Sequence, residues 1–250
     1  MKQFVLTPAM GKRLIGKAMA RHPAVESALA GGTLVIVAGS TNGYVAEEVL
    51  QAAGQAEAFA RRGFRRGTVT PPDFDPTSVK APFPGDVVLV AGTWQKGKQI
   101  FDVADGLGAG DVILKGANAL DPVARRAAVL IGHPQLGTSG PAIAAAVGRR
   151  VRLIVPVGLE KRVFEPIADL AAAANDAGAE GPGMLPLPGE VFTELDAIAL
   201  LTGAEGRLLA GGGVYGAEGA VWVGVSGEPE RIDAARQLIE AVAAEPPCEA

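Results

Sequence analysis

Short runs of β-branched, nearly uncharged residues recur along this chain with helix-patterned segments between them, and that alternation constrains the fold more than any other feature. Thr33 to Ala38, Asp86 to Ala91, Asp111 to Lys115 and Val151 to Pro156 are of this kind, and Ala127 to Ile131 adds a further strand to the series. Strands apolar on both faces must be covered on both faces, which calls for a parallel sheet sandwiched by helices. The sequence therefore predicts an α/β fold, a mainly parallel Rossmann-like sheet flanked by helices. Its loops gather at the strand C-termini, where such sheets bind ligands.

The intervening segments carry helix signals. Thr7-Pro8 reads as an N-cap followed by proline in the first turn, with Met10, Leu14, Ile15 and Ala18 repeating at helical spacing. A short helix follows His22-Pro23 and ends at Gly31-Gly32, Tyr44 to Gln51 is helical, and Leu159 to Ala174 is predicted as one helix. Residues 61–84, rich in Arg, Pro and Asp, form a connection with one short strand at Thr68 to Thr70 that overhangs a site. After Pro188 the character changes. Thr193 caps a helix, Ala220 to Val225 is a strand, and Glu228 to Ala243 is an amphipathic helix with Ile232, Ala235, Leu238, Ile239 and Val242 on one face. The organisation expected is an α/β domain over residues 1–188 and a smaller C-terminal α+β portion over 189–250, packed as a lid.

Composition narrows the function. With 23 basic and 27 acidic residues the net charge is −4, which gives no electrostatic footprint for nucleic acid. Ala127 to Gly148 is long enough to span a bilayer, but His133, Pro134, Gln135 and Pro141 interrupt it, so no membrane partner is expected. The N-terminal apolar run is too short for a signal peptide before Lys12 and Arg13. The single Cys248 lies near the C-terminus, which suits a reducing compartment, and the expected location is cytoplasmic. Two histidines, His22 and His133, lie outside any ligand cluster, so neither a metal nor a cofactor is expected.

Two nucleotide-like motifs fail on context. Gly92 to Gln99 nearly spells a phosphate loop, but Gln99 replaces the hydroxyl residue that holds Mg²⁺, and a β-turn at Lys96 to Lys98 fits better. Gly211 to Gly216 satisfies G-x-G-x-x-G but precedes a strand, where a pyrophosphate needs a helix N-terminus.

Gly39-Ser40-Thr41-Asn42-Gly43 joins a strand to a helix through small residues. It serves either as an ordinary capped helix start or as an anion cradle of free amides and the Ser40 and Thr41 hydroxyls. Gly137-Thr138-Ser139-Gly140 has the same chemistry, and a parallel sheet brings such loops to one edge. Lys115, Asn118 and Asp121 end the third strand, where a lysine, an amide and a carboxylate can orient a substrate, polarise a carbonyl or move a proton. Alternatively Lys115 pairs with a neighbouring acid and Asp121-Pro122 starts a helix. Arg61, Arg62, Arg65 and Arg66 either clamp a phosphate or form a solvated helix end.

This order of pieces resembles the superfamily of ribose-5-phosphate isomerase type A, glucosamine-6-phosphate deaminase and the CoA transferases. Ala38-Gly39-Ser40-Thr41 resembles the isomerase phosphate loop, and Gly116-Ala117-Asn118 the centre of its acidic segment. Gly137-Thr138 is similar to the corresponding region of methylthioribose-1-phosphate isomerase. Lys115 and Asn118 stand where the first family carries aspartates, and the catalytic cysteine of the second has no counterpart. The resemblance implies a small phosphorylated metabolite as partner. Gly39, Ser40, Thr41, Asn42, Gly43, Gly137, Thr138 and Ser139 would surround its phosphate. Asp121, Lys115 and Asn118 would serve aldose-ketose proton transfer if the protein is an enzyme. A non-catalytic metabolite sensor and a structural subunit of an assembly are the alternatives, and a homo-oligomer is expected.

Overall fold

The computed structural model describes residues 1–75, 77 and 81–248. Its centre is a six-stranded, mostly parallel sheet in the order β10 (Glu190–Phe192), β8 (Arg152–Pro156), β5 (Val112–Leu114), β2 (Thr33–Ile36), β3 (Val87–Val90), β4 (Thr93–Trp94). β2, β5, β8 and β10 run parallel, aligned through pairs such as Ile36 with Leu114 and Leu114 with Ile154. β3 and β4 complete the sheet as an antiparallel hairpin. Leu34, Val35 and Ile36 are wholly buried, as a strand covered on both faces requires.

Helices flank this sheet. α1 (Pro8–Met19) packs against α3 (Ser40–Ala52) and α7 (Glu194–Thr202), while α2 (Pro23–Gly31) packs on β2 and β3. Thr7 caps α1 through its hydroxyl, and Thr193 and Asp196 form a capping box on α7. His22 Nδ1 accepts the Ala24 N–H and so caps α2. α4 (Ile100–Val103) precedes β5, and α5 (Ser139–Ile143) precedes β8.

Several local expectations are corrected. Ala127 to Ile131 does not extend the central sheet. It lies in β7 (Arg126–Ile131), which pairs antiparallel with β6 (Ala119–Asp121) and β9 (Gly183–Pro186) in a separate three-stranded sheet. The predicted helix over 159–174 is broken. Leu159–Lys161 is a single 3-10 turn, and α6 begins only at Ile167 and ends at Ala174. Pro166 explains the break, since it disfavours helical backbone at the residue before it. Thr68 to Thr70 forms no strand. Asp121-Pro122 opens a hairpin turn and not a helix. The β3–β4 hairpin turns at Ala91-Gly92, both with positive φ (44° and 75°), and Lys96 to Lys98 forms a separate turn closed by Lys98 N–H on the Gln95 carbonyl.

A third sheet joins the chain ends. β1 (Lys2–Leu6) and β11 (Glu205–Gly211) both pair antiparallel with β12 (Val221–Ser226), and α8 (Pro229–Glu240) packs on this sheet. The line at residue 188 is crossed in both directions, because β10 belongs to the central sheet and β1 to the terminal one. Leu6, Val223 and Ile239 share one continuous apolar core with Val35 and Ile113. Among the described residues no helix is long and apolar enough to cross a membrane.

Candidate functional site

The parallel strands β2, β5, β8 and β10 deliver their following loops to one edge of the sheet, and β3, running the other way, starts there. Asn42, in the first turn of α3, ties two of these strand ends together. Its Nδ2 donates to the carbonyls of Val37 (2.8 Å) and Leu114 (2.9 Å). Asp86, just before β3, is completely buried and ties the first of these strand ends to the segment beginning at Ile100, accepting the Ala38 N–H (2.9 Å) and the Ile100 N–H (2.8 Å). The Gly39 loop thus rests on a buried carboxylate.

Lys115 continues β5 into the same edge. It is 8% exposed and donates to Thr138 Oγ1 at 3.2 Å, which ties the end of β5 to the Gly137–Gly140 loop. Burial pushes its ammonium down to about 8, partly opposed by the charge of Asp86 and assisted by that of Arg66. Arg66 lies 3.8 Å from Asp86, donates to Gln99 at 2.8 Å and stacks on Phe83. Two cations face one carboxylate here, which leaves an excess of positive charge at the end of β2 and β5. Thr41 Oγ1 and Asn42 Oδ1 are buried without a hydrogen-bond partner, a condition native interiors seldom tolerate.

A second polar cluster lies past β8 and β10. Lys12, 5% exposed on α1, meets Glu160 at 3.0 Å. Glu194, 2% exposed at the start of α7, accepts the Leu159 N–H at 2.9 Å. Burial, reinforced by the nearby Glu160 charge, pushes the Glu194 carboxyl up to about 8. Lys161 donates to the Ala117 carbonyl at 2.8 Å, linking this cluster to the loop after β5, and burial lowers its ammonium. Gly11 and Gly158 leave the space the carboxylates occupy. A Cβ on Gly11 would overlap Glu194 Oε1, and one on Gly158 would overlap Glu160 Oε2.

The other sequence candidates are placed as follows. Gly39 is the N-cap of α3, Ser40 is exposed, and Thr41, Asn42 and Gly43 are buried. Gly137 has φ +52°, and Thr138 and Ser139 are buried. Asn118 is stitched to β7, its N–H on the Ala128 carbonyl and its Oδ1 on the Leu130 N–H. Asp121 Oδ1 accepts the N–H groups of Val123 and Ala124 in the β6–β7 turn. Arg61 binds Glu47 and Glu245 and stacks on Tyr44, while Arg62 and Arg65 are exposed. His133 is exposed in its loop.

Asp86, Lys12, Glu160, Lys161 and Glu194 are site groups that sequence reasoning did not single out. For Asp86 the available signal was its place at the head of a strand; for Glu194 it was an acid directly after a capping threonine. Among the described residues no group of three or more His, Cys, Asp or Glu side chains converges to hold a metal. The chain matches no family model, no curated protein and no solved structure.

Proposed function

We propose that the protein binds a small phosphorylated metabolite at the C-terminal edge of its parallel strands, in the manner of a Rossmann-like sheet. The observation that carries this reading is the buried, unpartnered Thr41 hydroxyl in the first turn of a thirteen-residue helix. First-turn amides have no partner inside their helix and favour an anion. Thr138 and Lys115 supply a hydroxyl and a cation beside the same strand end, and Arg66 adds a second charge. A phosphate there satisfies Thr41 and returns Lys115 to its fully charged form.

The binding reading is favoured over turnover by Lys115, Asn118 and Asp121, because Asn118 and Asp121 spend polar atoms on β7 and on the hairpin turn. Ribose 5-phosphate at about a hundred times its dissociation constant should stabilise the fold by about 2.7 kcal/mol. For a chain of this length that raises the melting temperature by roughly 5 to 10 °C. Thr41→Glu should abolish the shift, since it sets a carboxylate against the phosphate, while Asp121→Asn should leave it intact. A shift that survives Thr41→Glu, or no shift in wild type with ribose 5-phosphate or inorganic phosphate, overturns the reading.

A further inference from the structure

We propose that the ligand of the strand-end site is the phosphate ester of an apolar alcohol, whose hydrocarbon part lies in a cleft between the His133 loop and the start of β9. This inference rests on the proposed phosphate site and names the class of compound that carries the phosphate.

The cleft has a volume of about 810 Å³, within the range of small-molecule sites. Ile131, Pro134, Leu136, Met184 and Leu185 make its walls apolar, and among the described residues no Asp, Glu, Lys or Arg lines it. Few side-chain polar atoms are left there for a hydroxyl-rich sugar. Asn175 spends both ends of its amide on the Met184 backbone, at 2.8 and 2.9 Å, and His133 Nδ1 accepts the Gln135 N–H at 3.1 Å. What remains is the Thr68 hydroxyl and His133 Nε2. The Asn175 clasp also closes the outer edge of β9, so the cleft is no place to add a peptide strand.

Two chain segments lead from the cleft to the phosphate site. Leu136 is two residues before Thr138, and its carbonyl accepts the Ser139 N–H at 3.1 Å in the turn that presents Thr138 to Lys115. Thr68 is two residues after Arg66, and its methyl fills the space that a Cβ on Gly132 would need. Each step is at most about 7 Å of chain, which brings a group esterified to the phosphate within reach of the cleft. Leu136 itself has φ +63° and is 40% exposed. Leucine is disfavoured in this left-handed conformation, which glycine and asparagine adopt more readily, and the exposed side chain gains little burial in return. An apolar ligand group lying over it accounts for an apolar residue at this position.

Isothermal titration calorimetry with benzyl phosphate, ribose 5-phosphate and inorganic phosphate tests the proposal. Benzyl phosphate should bind roughly tenfold or more tightly than ribose 5-phosphate, as burial of an aromatic group predicts, and benzyl alcohol should bind far more weakly than benzyl phosphate. Leu136→Asn suits the backbone at this position, so the variant should fold. It should cut the preference for benzyl phosphate by roughly threefold or more and leave the affinity for inorganic phosphate unchanged. Thr41→Glu should abolish binding of all three phosphates. Equal affinities for benzyl phosphate and ribose 5-phosphate, or a preference that Leu136→Asn leaves unchanged, overturns this proposal and leaves the phosphate reading standing. Benzyl alcohol bound as tightly as benzyl phosphate makes the cleft an apolar site unconnected with phosphate and overturns it too. Failure of all three phosphates to bind removes the phosphate reading and this proposal together.

Discussion

Replacing Asp86 by alanine is expected to destabilise the protein by about 3 to 5 kcal/mol, the range seen when one partner of a buried charged network is removed. For a chain of this length that corresponds to a fall in melting temperature of roughly 6 to 20 °C. Asp86 is wholly buried, and each of its oxygens serves a different backbone amide, Ala38 and Ile100. The substitution orphans both amides and leaves Lys115 and Arg66 facing each other without the carboxylate between them. Asparagine keeps the shape and one acceptor, so Asp86→Asn should show a smaller loss. Because the Ala38 amide leads directly into the Gly39 loop, both variants should also weaken the ribose 5-phosphate shift. Calorimetry on the three proteins checks this, and a drop of under about 2 °C in Asp86→Ala would show that the carboxylate is not the tie it is taken to be.

How much of this was legible in the sequence depends on whether a signal is local. The strands β2, β3, β5 and β8 are readable because their β-branched runs are buried on both faces. β10 is three residues long and β11 mixes Glu205, Gly206 and Arg207 with apolar residues, so neither carries a periodic signal. β1 depends on pairing with β12, more than two hundred residues away, and local propensity cannot announce that.

The same division holds for the site. The Gly39 to Gly43 and Gly137 to Gly140 loops stand out as small-residue junctions, and Lys115 as the polar end of an apolar run. Asp86 does not stand out, because only the antiparallel direction of β3 brings a strand beginning to the edge where the other strands finish. Lys12 sits on the polar side of an amphipathic pattern and is buried only because α1 is pressed between α3 and α7. Glu194 looks like an ordinary first-turn acid, a position that helix dipoles favour anyway. Its burial and the approach of Glu160 are tertiary facts.

Stability should pass through a minimum near pH 8, set by two buried groups displaced in opposite directions. The Glu194 carboxyl is raised from 4.5 to about 8. Between those values the unfolded chain has released a proton that the folded protein keeps, so stability falls as pH rises and levels off above 8. The Lys115 ammonium is lowered from 10.5 to about 8. Between 8 and 10.5 the unfolded chain holds a proton that the folded protein has released, so stability climbs again with pH. Burial of Lys161 acts in the same sense. A tenfold change in proton affinity corresponds to about 1.4 kcal/mol, which makes either limb on the order of a few kcal/mol. Two other groups bound the window. Burial lowers His22, so stability rises with pH approaching 6.5 and opposes the descending limb there. Burial raises the Tyr44 hydroxyl, so stability turns down again above pH 10. Denaturant unfolding from pH 4 to 10 should therefore show the minimum in wild type, lose its descending limb in Glu194→Gln and keep only a shallower ascending limb in Lys115→Met. A descending limb that Glu194→Gln leaves unchanged would mean that this carboxyl is ionised in the folded protein at neutral pH.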